Sequence, residues 1–390
     1  MTPAGLYIYP WCFAEEGYQE LMDYVRGLGV RRLYLVSAYH AGFFLHPHSP
    51  EKKVRLLEDG VAYFQPDETV WTDSRIRPPV SSLCDSTNLF GDICTAASQA
   101  QMEISAWTVC LHNTTLGSAY PECTIHNVFG DPYPHALSPG HPDARAYVAA
   151  LIDDLTKNYD LHSVLLEAPN YRNRAHGSTW VSGHHHERNG IHLRDLEEWL
   201  LSLSFNSADI RSAKDAGVDV DSVQAAVRDH LIRYFEAAPE VPAELPSTID
   251  EFRQPLAALV DYEAYFRRTE ETLLQDLRQI AEPRGVKLVG NSSPAIDIVI
   301  VGTYGEPLER VIELTSAAKR TLGTHQQLEV VFRLGFTSPG MGAAIRSADV
   351  LSDYVNTALE HGADSVAFYN YAEAPRQSVE WIRQVLEKPF

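Results

Sequence analysis

Apolar runs and amphipathic segments alternate along this chain, and their order predicts its secondary structure. Short runs rich in β-branched and aromatic residues are typical of buried strands. They lie at residues 6–9, 32–37, 104–109, 163–167, 287–290, 297–301, 329–333 and 365–369. Longer segments with apolar residues at helical spacing separate most of them. These predicted helices lie at residues 18–28, 89–100, 144–159, 262–281, 309–320, 348–361 and 378–386.

This repeating order predicts one fold class. Strands that alternate with helices pair in parallel through right-handed crossovers, and near-continuous apolar strands indicate a sheet covered on both faces. Eight such strands predict a closed (β/α)8 TIM barrel, here as a single domain over residues 1–390. The rival fold, a doubly wound open sheet, often binds its ligand through a Gly-rich turn. No GxGxxG or phosphate-binding loop follows the first predicted strand.

Two long insertions explain why the chain exceeds the ~250 residues that such a barrel usually needs. One is a loop and hairpin excursion after the second strand, at residues 41–82. The other is a helical insertion after the fourth strand, at residues 170–260.

The net charge of the chain excludes some classes of binding partner. The formal net charge is −20, from 52 acidic and 32 basic residues. Such a surface repels phosphate backbones and anionic lipid, so we expect no nucleic-acid partner and no membrane association. The start of the chain carries no secretory pattern, and its five cysteines form no CxxC pair. We therefore expect a cytoplasmic protein with reduced thiols, whose oligomeric state stays open.

Glu167 is the most informative single residue, because it ends the fourth predicted strand. In a TIM barrel the active site lies at the carboxyl ends of the strands. A carboxylate in a buried strand costs several kcal/mol in desolvation unless it is paired or hydrogen-bonded. We therefore expect Glu167 to serve as a general acid. The alternative is a structural ion pair, with Arg333 as its partner.

The other strand ends carry aromatic, imidazole and amide groups. Aromatic rings stack on the apolar faces of sugars, and their polar atoms reach hydroxyl groups. The alternative for each aromatic residue is ordinary core packing, which we expect first for Trp107. The candidate substrate-binding residues are Tyr9, Trp11, Tyr39, His40, His112, Asn113, Tyr171, Arg333, Tyr369, Asn370 and Tyr371.

A histidine-rich segment follows the fourth strand and ends in His185, His186 and Glu187. Imidazole and carboxylate groups bind divalent ions, but they also donate and accept hydrogen bonds and carry out acid–base catalysis. The spacing is neither HExxH nor the HxH of metal-dependent amidohydrolase barrels. We therefore expect a polar substrate-lining loop with these three residues as catalytic groups, and neither a metal nor another cofactor.

Over nearly its whole length the chain resembles the glycoside-hydrolase-like TIM barrels, the broad transglycosidase superfamily. The resemblance implies that the carboxylate of strand four acts as acid/base or nucleophile. The motifs that carry the resemblance are Tyr7-Ile8-Tyr9-Pro10-Trp11, Cys110-Leu111-His112-Asn113, Asn127-Val128-Phe129-Gly130-Asp131, Leu137-Ser138-Pro139, the helix from Asp143, Leu165-Leu166-Glu167, and the loop with His176-Gly177 and His185-His186-Glu187.

Strand seven departs from this pattern. Many retaining members carry a nucleophilic glutamate at its end, whereas here the strand reads Val330-Val331-Phe332-Arg333. The second carboxylate is then Glu187, Glu306 or Glu373, or a histidine takes the role of base. The separation of the two carboxyl groups decides between retention, at ~5–5.5 Å, and inversion, at ~6.5–9.5 Å.

Together these observations predict a glycosidase that cleaves a small glycoside or oligosaccharide. Glu167 is expected to donate the proton, and Glu187, with His185 or His186, to activate water. One alternative is a metal-dependent barrel hydrolase or isomerase with Glu167 and the histidine-rich loop as ligands. The other is a non-catalytic sugar-binding barrel, which the missing carboxylate of strand seven suggests.

Overall fold

The computed structural model describes residues 4–174, 190–335 and 345–387. Eight parallel strands form its centre, and all eight predicted strands are present. They are β1 (Ala4–Ile8), β2 (Arg32–Tyr39), β3 (Glu103–Val109), β4 (Ser163–Glu167), β5 (Lys287–Gly290), β6 (Ile298–Gly302), β7 (Gln327–Arg333) and β8 (Ser365–Tyr369).

Each strand pairs in parallel with the next, and β8 pairs with β1, so the sheet closes into a (β/α)8 barrel as predicted. The pairing aligns strand ends: Val109 lies opposite Glu167, and Arg333 lies opposite Tyr369. The carboxyl ends of all eight strands therefore form one edge of the barrel, which we call the C-terminal rim.

Helices surround this barrel, and every predicted helix has a counterpart among them. In α5, for example, Tyr147, Leu151 and Leu155 recur at a spacing of four residues and are buried, so this face packs inward. The helices are α1 (Pro10–Glu16), α2 (Tyr18–Gly27), α3 (Leu89–Gln99), α4 (Thr114–Ala119), α5 (Pro142–Asn158), α6 (Asp195–Ser202), α7 (Ser207–Asp215), α8 (Val220–Ala237), α9 (Ile249–Arg253), α10 (Ala257–Ala281), α11 (Leu308–Thr321), α12 (Ala348–Glu360) and α13 (Arg376–Leu386).

Three excursions leave the C-terminal rim. After β2, Phe43–Leu45 and Val54–Leu56 form an antiparallel hairpin, and Val61–Ala62 then pairs antiparallel with β2. After β3, Thr124–His126 pairs antiparallel with Pro132–Leu137 in a hairpin that the sequence pattern did not predict. After β4 come α6 to α9, whose apolar faces share a second core with the start of α10.

A buried ionic network occupies the opposite end of the barrel. Glu329 of β7 is 1% exposed, accepts hydrogen bonds from Tyr34 and Ser365, and lies 3.6 Å from Arg32. Carboxylates at the amino ends of barrel strands contribute to stability rather than to chemistry. Of these two strand glutamates, Glu329 and Glu167, only Glu167 therefore lies where catalysis is expected.

Across the described ranges, no helix is both long enough and apolar enough to cross a lipid bilayer.

Candidate active site

Glu167 ends β4 at the C-terminal rim, as the sequence predicted. The Trp107 indole Nε1 donates a 2.5 Å hydrogen bond to Glu167 Oε2. The other carboxylate oxygen, Oε1, lies 3.8 Å from His40 Nε2. About a third of the side chain, 35%, stays exposed. Glu167 is thus oriented by the protein and still reachable from solvent, as a proton donor must be.

His40 is held in one tautomer when it is neutral. Its Nδ1 lies 2.6 Å from the Ala41 carbonyl oxygen, which only accepts hydrogen bonds, so Nδ1 carries a proton. Nε2 then faces Glu167 as the second ring nitrogen. The imidazole stacks on Tyr39 at 4.3 Å and on His112 at 4.7 Å. Three predicted substrate-binding residues therefore form one wall beside Glu167.

A second carboxylate, Glu373, lies just beyond the end of β8. The Tyr9 hydroxyl donates to Glu373 Oε1 at 2.7 Å, and the Asn370 amide donates to the same oxygen at 3.4 Å. The Arg333 guanidinium donates to Oε2 at 3.2 Å. Arg333 therefore pairs with Glu373, and the alternative in which it pairs with Glu167 is wrong. The partner changes because the turn after β8 brings Glu373 directly over the end of β7.

Five aromatic side chains connect the two carboxylates in one contiguous set of ring contacts, which we call the aromatic cluster. Ring centroids are 5.7 Å apart for Tyr9 and Trp107, 5.0 Å for Tyr39 and Trp107, 5.8 Å for Trp107 and Tyr369, and 5.3 Å for Tyr304 and Tyr369. Tyr9 contacts Glu373 and Trp107 contacts Glu167, so the cluster links both acids.

The pKa shifts of the tyrosines reflect the closeness of both carboxylates. Burial raises the pKa of Tyr39, Tyr304 and Tyr369, and the negative charges of both Glu167 and Glu373 raise each of them further. Burial also raises the pKa of Glu373, while the Tyr9 hydroxyl, the Arg333 charge and the Tyr369 hydroxyl act in the opposite direction. Both carboxylates therefore act on the same three phenols.

Several predicted substrate-binding residues lie elsewhere. Trp11 is buried in α1, where it stacks on Tyr9 at 4.4 Å. Tyr371 is also fully buried, and its hydroxyl donates to Glu16 at 2.8 Å. Asn370 is buried beside Glu373. The structure gives these three side chains protein partners rather than an open face at the rim.

Asn113 and Tyr171 also have protein partners. The Asn113 side-chain oxygen caps α4 by accepting the Leu116 N–H at 2.9 Å, and its amide donates to the Gly60 carbonyl oxygen at 3.0 Å. The Tyr171 hydroxyl donates to Asp209 at 2.6 Å, within the helical insertion. The remaining predicted catalytic residues, His185, His186 and Glu187, lie outside the described residues.

One possible metal-binding set occurs in the described ranges: Cys123, His141 and Asp143 each offer a ligand atom within 4.8 Å of the others. Arg75, however, donates to Asp143 at 2.9 Å and to the Cys123 sulfur at 3.3 Å. Burial raises the pKa of the Cys123 thiol to about 11, which opposes the thiolate that a metal needs. This set does not fit a bound metal, because a guanidinium already supplies the positive charge.

Sequence reasoning missed the role of Trp107 and left Glu373 as one of three options. Trp107 was expected in the core, and at 3% exposure it is buried, yet its N–H reaches Glu167. One signal was available: Trp107 lies two residues before the end of β3, the strand that pairs with β4. For Glu373 the comparable signal was its place in the short turn after β8.

The fold is the one that glycoside-hydrolase TIM barrels share. No protein-family model matches the chain, and no curated protein matches it in sequence. Among solved structures, the chain is similar to the PgaB (BpsB) glycoside hydrolase domain of Bordetella bronchiseptica, with a TM-score of 0.59, 14% identity and 100% of both chains covered.

It is also similar to α-L-fucosidase isoenzyme 2 of Paenibacillus thiaminolyticus, with a TM-score of 0.59 and 12% identity. That match covers 99% of this chain, which spans about half, 49%, of the fucosidase. A third similar structure is the β-galactosidase of Marinomonas ef1, with a TM-score of 0.55, 10% identity, and 99% and 59% of the two chains covered. At these identities the likeness shows the fold alone.

Proposed function

We propose that this chain is a glycoside hydrolase that cleaves a small glycoside or oligosaccharide, with Glu167 as its proton donor. The observation that carries the proposal is the placement of Glu167. It lies at the C-terminal rim, is oriented by the Trp107 N–H at 2.5 Å, and keeps a third of its side chain open. The glycoside hydrolases among the structural neighbours support the same reaction class.

The surroundings of Glu167 suit a sugar. Cleavage of a glycosidic bond needs a proton on the leaving oxygen while positive charge develops at the anomeric carbon. The stacked rings of Tyr39, His40 and His112 lie beside the acid, and the imidazole of His40 is partly exposed there. From the sequence alone, we also propose that Glu187, with His185 or His186, supplies catalytic groups to the same site.

The test is Glu167→Gln, which keeps the size of the side chain but cannot donate an acidic proton. The wild-type chain is first assayed on a panel of nitrophenyl and unactivated glycosides. On an unactivated substrate we expect the variant to lose about 10²–10⁴-fold in kcat, the usual contribution of a general acid. On a dinitrophenyl glycoside the loss should be much smaller, because that leaving group departs without a proton.

Two outcomes would contradict the proposal. One is a wild-type chain that turns over no glycoside of the panel. The other is an E167Q variant that hydrolyses an unactivated glycoside as fast as the wild type does.

A further inference from the structure

Glu373 has no part in the proton donation described above, yet three side chains donate hydrogen bonds to its carboxylate at the C-terminal rim. Its donors come from three different strand ends: Tyr9 follows β1, Arg333 ends β7, and Asn370 follows β8. Tyr9 and Glu373 are 364 positions apart in sequence. Only closure of the barrel brings these groups to one carboxylate.

We propose that Glu373 is the second catalytic carboxylate of this site, the nucleophile that attacks the anomeric carbon. The inference rests on the proposed function. Many retaining glycosidases carry their nucleophilic glutamate at the end of strand seven, which this chain lacks. In this proposal, a glutamate from the turn after β8 takes that role.

The position of Glu373 opposite Glu167 favours this role. In the ring of eight strands, β4 and β8 are four strands apart, so Glu167 and Glu373 start from opposite sides of the C-terminal rim. The aromatic cluster lies between them, with Trp107 in contact with one acid and Tyr9 in contact with the other. A sugar bound at the rim between the two acids would have one carboxylate on each side, the arrangement that glycoside hydrolysis requires.

The hydrogen-bond donors of Glu373 also favour this role. Hydrogen bonds to the charged form of an acid favour that form, and a neighbouring guanidinium does the same. Glu373 receives a phenol O–H on Oε1 and a guanidinium N–H on Oε2, and 17% of its side chain is exposed. Glu167 is twice as exposed and accepts its hydrogen bond from an indole N–H. The contacts of Glu373 fix the orientation of its carboxylate and favour the charged form, against the burial that raises its pKa overall.

The reaction balances with these two residues and water. Glu167 transfers its proton to the glycosidic oxygen, and that oxygen keeps the electron pair of the bond that breaks. A Glu373 oxygen supplies the electron pair of the new bond to the anomeric carbon. Glu167 then takes a proton from water, whose oxygen attacks the same carbon, and the ester electrons return to Glu373. Two inversions give net retention of configuration.

A purely structural ion pair is the competing explanation, and the chain offers a matched control for it. Glu16 also accepts a tyrosine hydroxyl, from Tyr371 at 2.8 Å, and an arginine N–H, from Arg376 at 3.3 Å. It is similarly buried, with 14% of its side chain exposed. Glu16 ends α1 and contacts α13 instead of the aromatic cluster, so Glu16→Gln removes the same kind of contacts away from the site.

The experiment uses Glu373→Gly, Glu373→Gln, Glu167→Gly and Glu16→Gln with a 2,4-dinitrophenyl glycoside of the sugar that the wild type hydrolyses. We expect both Glu373 variants to lose at least about a thousandfold in kcat, and E16Q to stay within about twofold of wild type. Sodium azide should restore turnover of E373G. Azide enters from the face that the carboxylate has vacated, so the glycosyl azide should have the opposite anomeric configuration to the substrate.

Azide should also rescue E167G, but through the ester on Glu373, and the glycosyl azide should then keep the configuration of the substrate. Proton NMR distinguishes the two products. If E373Q is as active as E16Q, or if the wild type gives an inverted sugar, the inference is overturned while E167Q still tests the proposed function. If the wild type hydrolyses no glycoside, both are overturned.

Tyr9→Phe keeps the carboxylate and tests the same inference in case the Glu373 variants do not fold. Loss of the phenol donor removes an influence that opposes the burial-raised pKa of Glu373. Because the nucleophile must be charged, the acidic limb of the kcat/KM profile should move to higher pH. If Glu373 has a purely structural role, the acidic limb of the kcat/KM profile should stay at the same pH in the variant.

Discussion

At the scale of single residues, hydrogen-bond donors distinguish the two acids of the site. Glu167 accepts the N–H of an indole, which orients it without adding charge. Glu373 accepts from a phenol and from a guanidinium, and the guanidinium also places a positive charge beside it. The two carboxylates therefore differ in their neighbours: Glu167 lies beside an indole and an imidazole, and Glu373 beside a phenol and a guanidinium.

Trp107→Phe tests the orienting contact of Glu167. The variant keeps an aromatic ring in the cluster and removes the N–H that holds Oε2. A hydrogen bond to a charged group contributes about 1.5–3 kcal/mol, so we expect kcat on an unactivated glycoside to fall by about 10–100-fold. The fall should shrink on a dinitrophenyl glycoside. Steady-state kinetics on both substrates measure it.

Trp71→Phe is the matched control, because Trp71 is another buried indole that donates to a carboxylate, at 2.6 Å to Asp154. It lies in the segment after β2, and its loss should lower stability without changing kcat. Equal kcat for W107F and wild type would show that the hydrogen bond from Trp107 to Glu167 does not contribute to catalysis.

At the scale of elements, a buried carboxylate joins the helical insertion to the barrel. Asp209 of α7 is fully buried and accepts hydroxyl groups from Ser138 at 2.8 Å, Ser204 at 2.6 Å and Tyr171 at 2.6 Å. These donors come from the segment before α5, the segment before α7 and the loop after β4. Burial raises the pKa of Asp209, and the hydroxyl donors offset that rise only in part.

Asp209→Asn tests this junction through the pH dependence of stability. A carboxyl group whose pKa is raised in the folded state favours folding most below its ordinary pKa. The wild type should therefore lose stability as the pH rises from about 4 through the raised pKa. The loss is about 1.4 kcal/mol for each pH unit that separates the folded and unfolded pKa values. The neutral amide removes this titration.

Urea unfolding of both proteins at a series of pH values measures the effect. We expect the stability of D209N relative to wild type to improve as the pH rises over that window. A difference between the two proteins that does not change with pH would contradict the burial of a titrating Asp209.

At the scale of the whole molecule, closure of the barrel determines which groups become accessible. The ring places the candidate catalytic side chains at the C-terminal rim, and the folded chain buries all five cysteines. Burial raises the pKa of each thiol, and for Cys123 to about 11. The buried free cysteines are Cys12, Cys84, Cys94, Cys110 and Cys123.

We therefore expect the native protein to be inert to a thiol reagent. With 5,5′-dithiobis(2-nitrobenzoate) at pH 8, fewer than one thiol should react before unfolding, because thiolates are the reacting species and these thiols are buried and protonated. All five should react in urea. Rapid labelling of the native chain would show that the barrel layers open, and mass spectrometry of the labelled peptide would identify where.

The local pattern of apolar and polar residues was sufficient to predict the eight barrel strands and the helices between them. Each strand is an apolar run that must be buried on both faces, and each predicted helix carries an apolar stripe, so both can be recognised within a window of a few residues. The order of these elements in turn specifies a closed parallel barrel, and the barrel places Glu167 at its C-terminal rim. The hairpin of Thr124–His126 and Pro132–Leu137 was not predicted, because its short, proline-containing strands lack a clear alternating pattern.

Only the tertiary structure decided which side chains meet. Arg333 pairs with Glu373 rather than Glu167, Trp107 turns its N–H to Glu167, and Asn113 caps a helix. The contacts of the two acids join positions tens to hundreds of residues apart, and their geometry depends on strand register and on the turns that follow each strand. Residue type and spacing along the chain therefore predicted that Glu167 ends a strand at the C-terminal rim, whereas the partners of the two acids depend on strand register, on the turns after the strands and, for Tyr9, on closure of the ring.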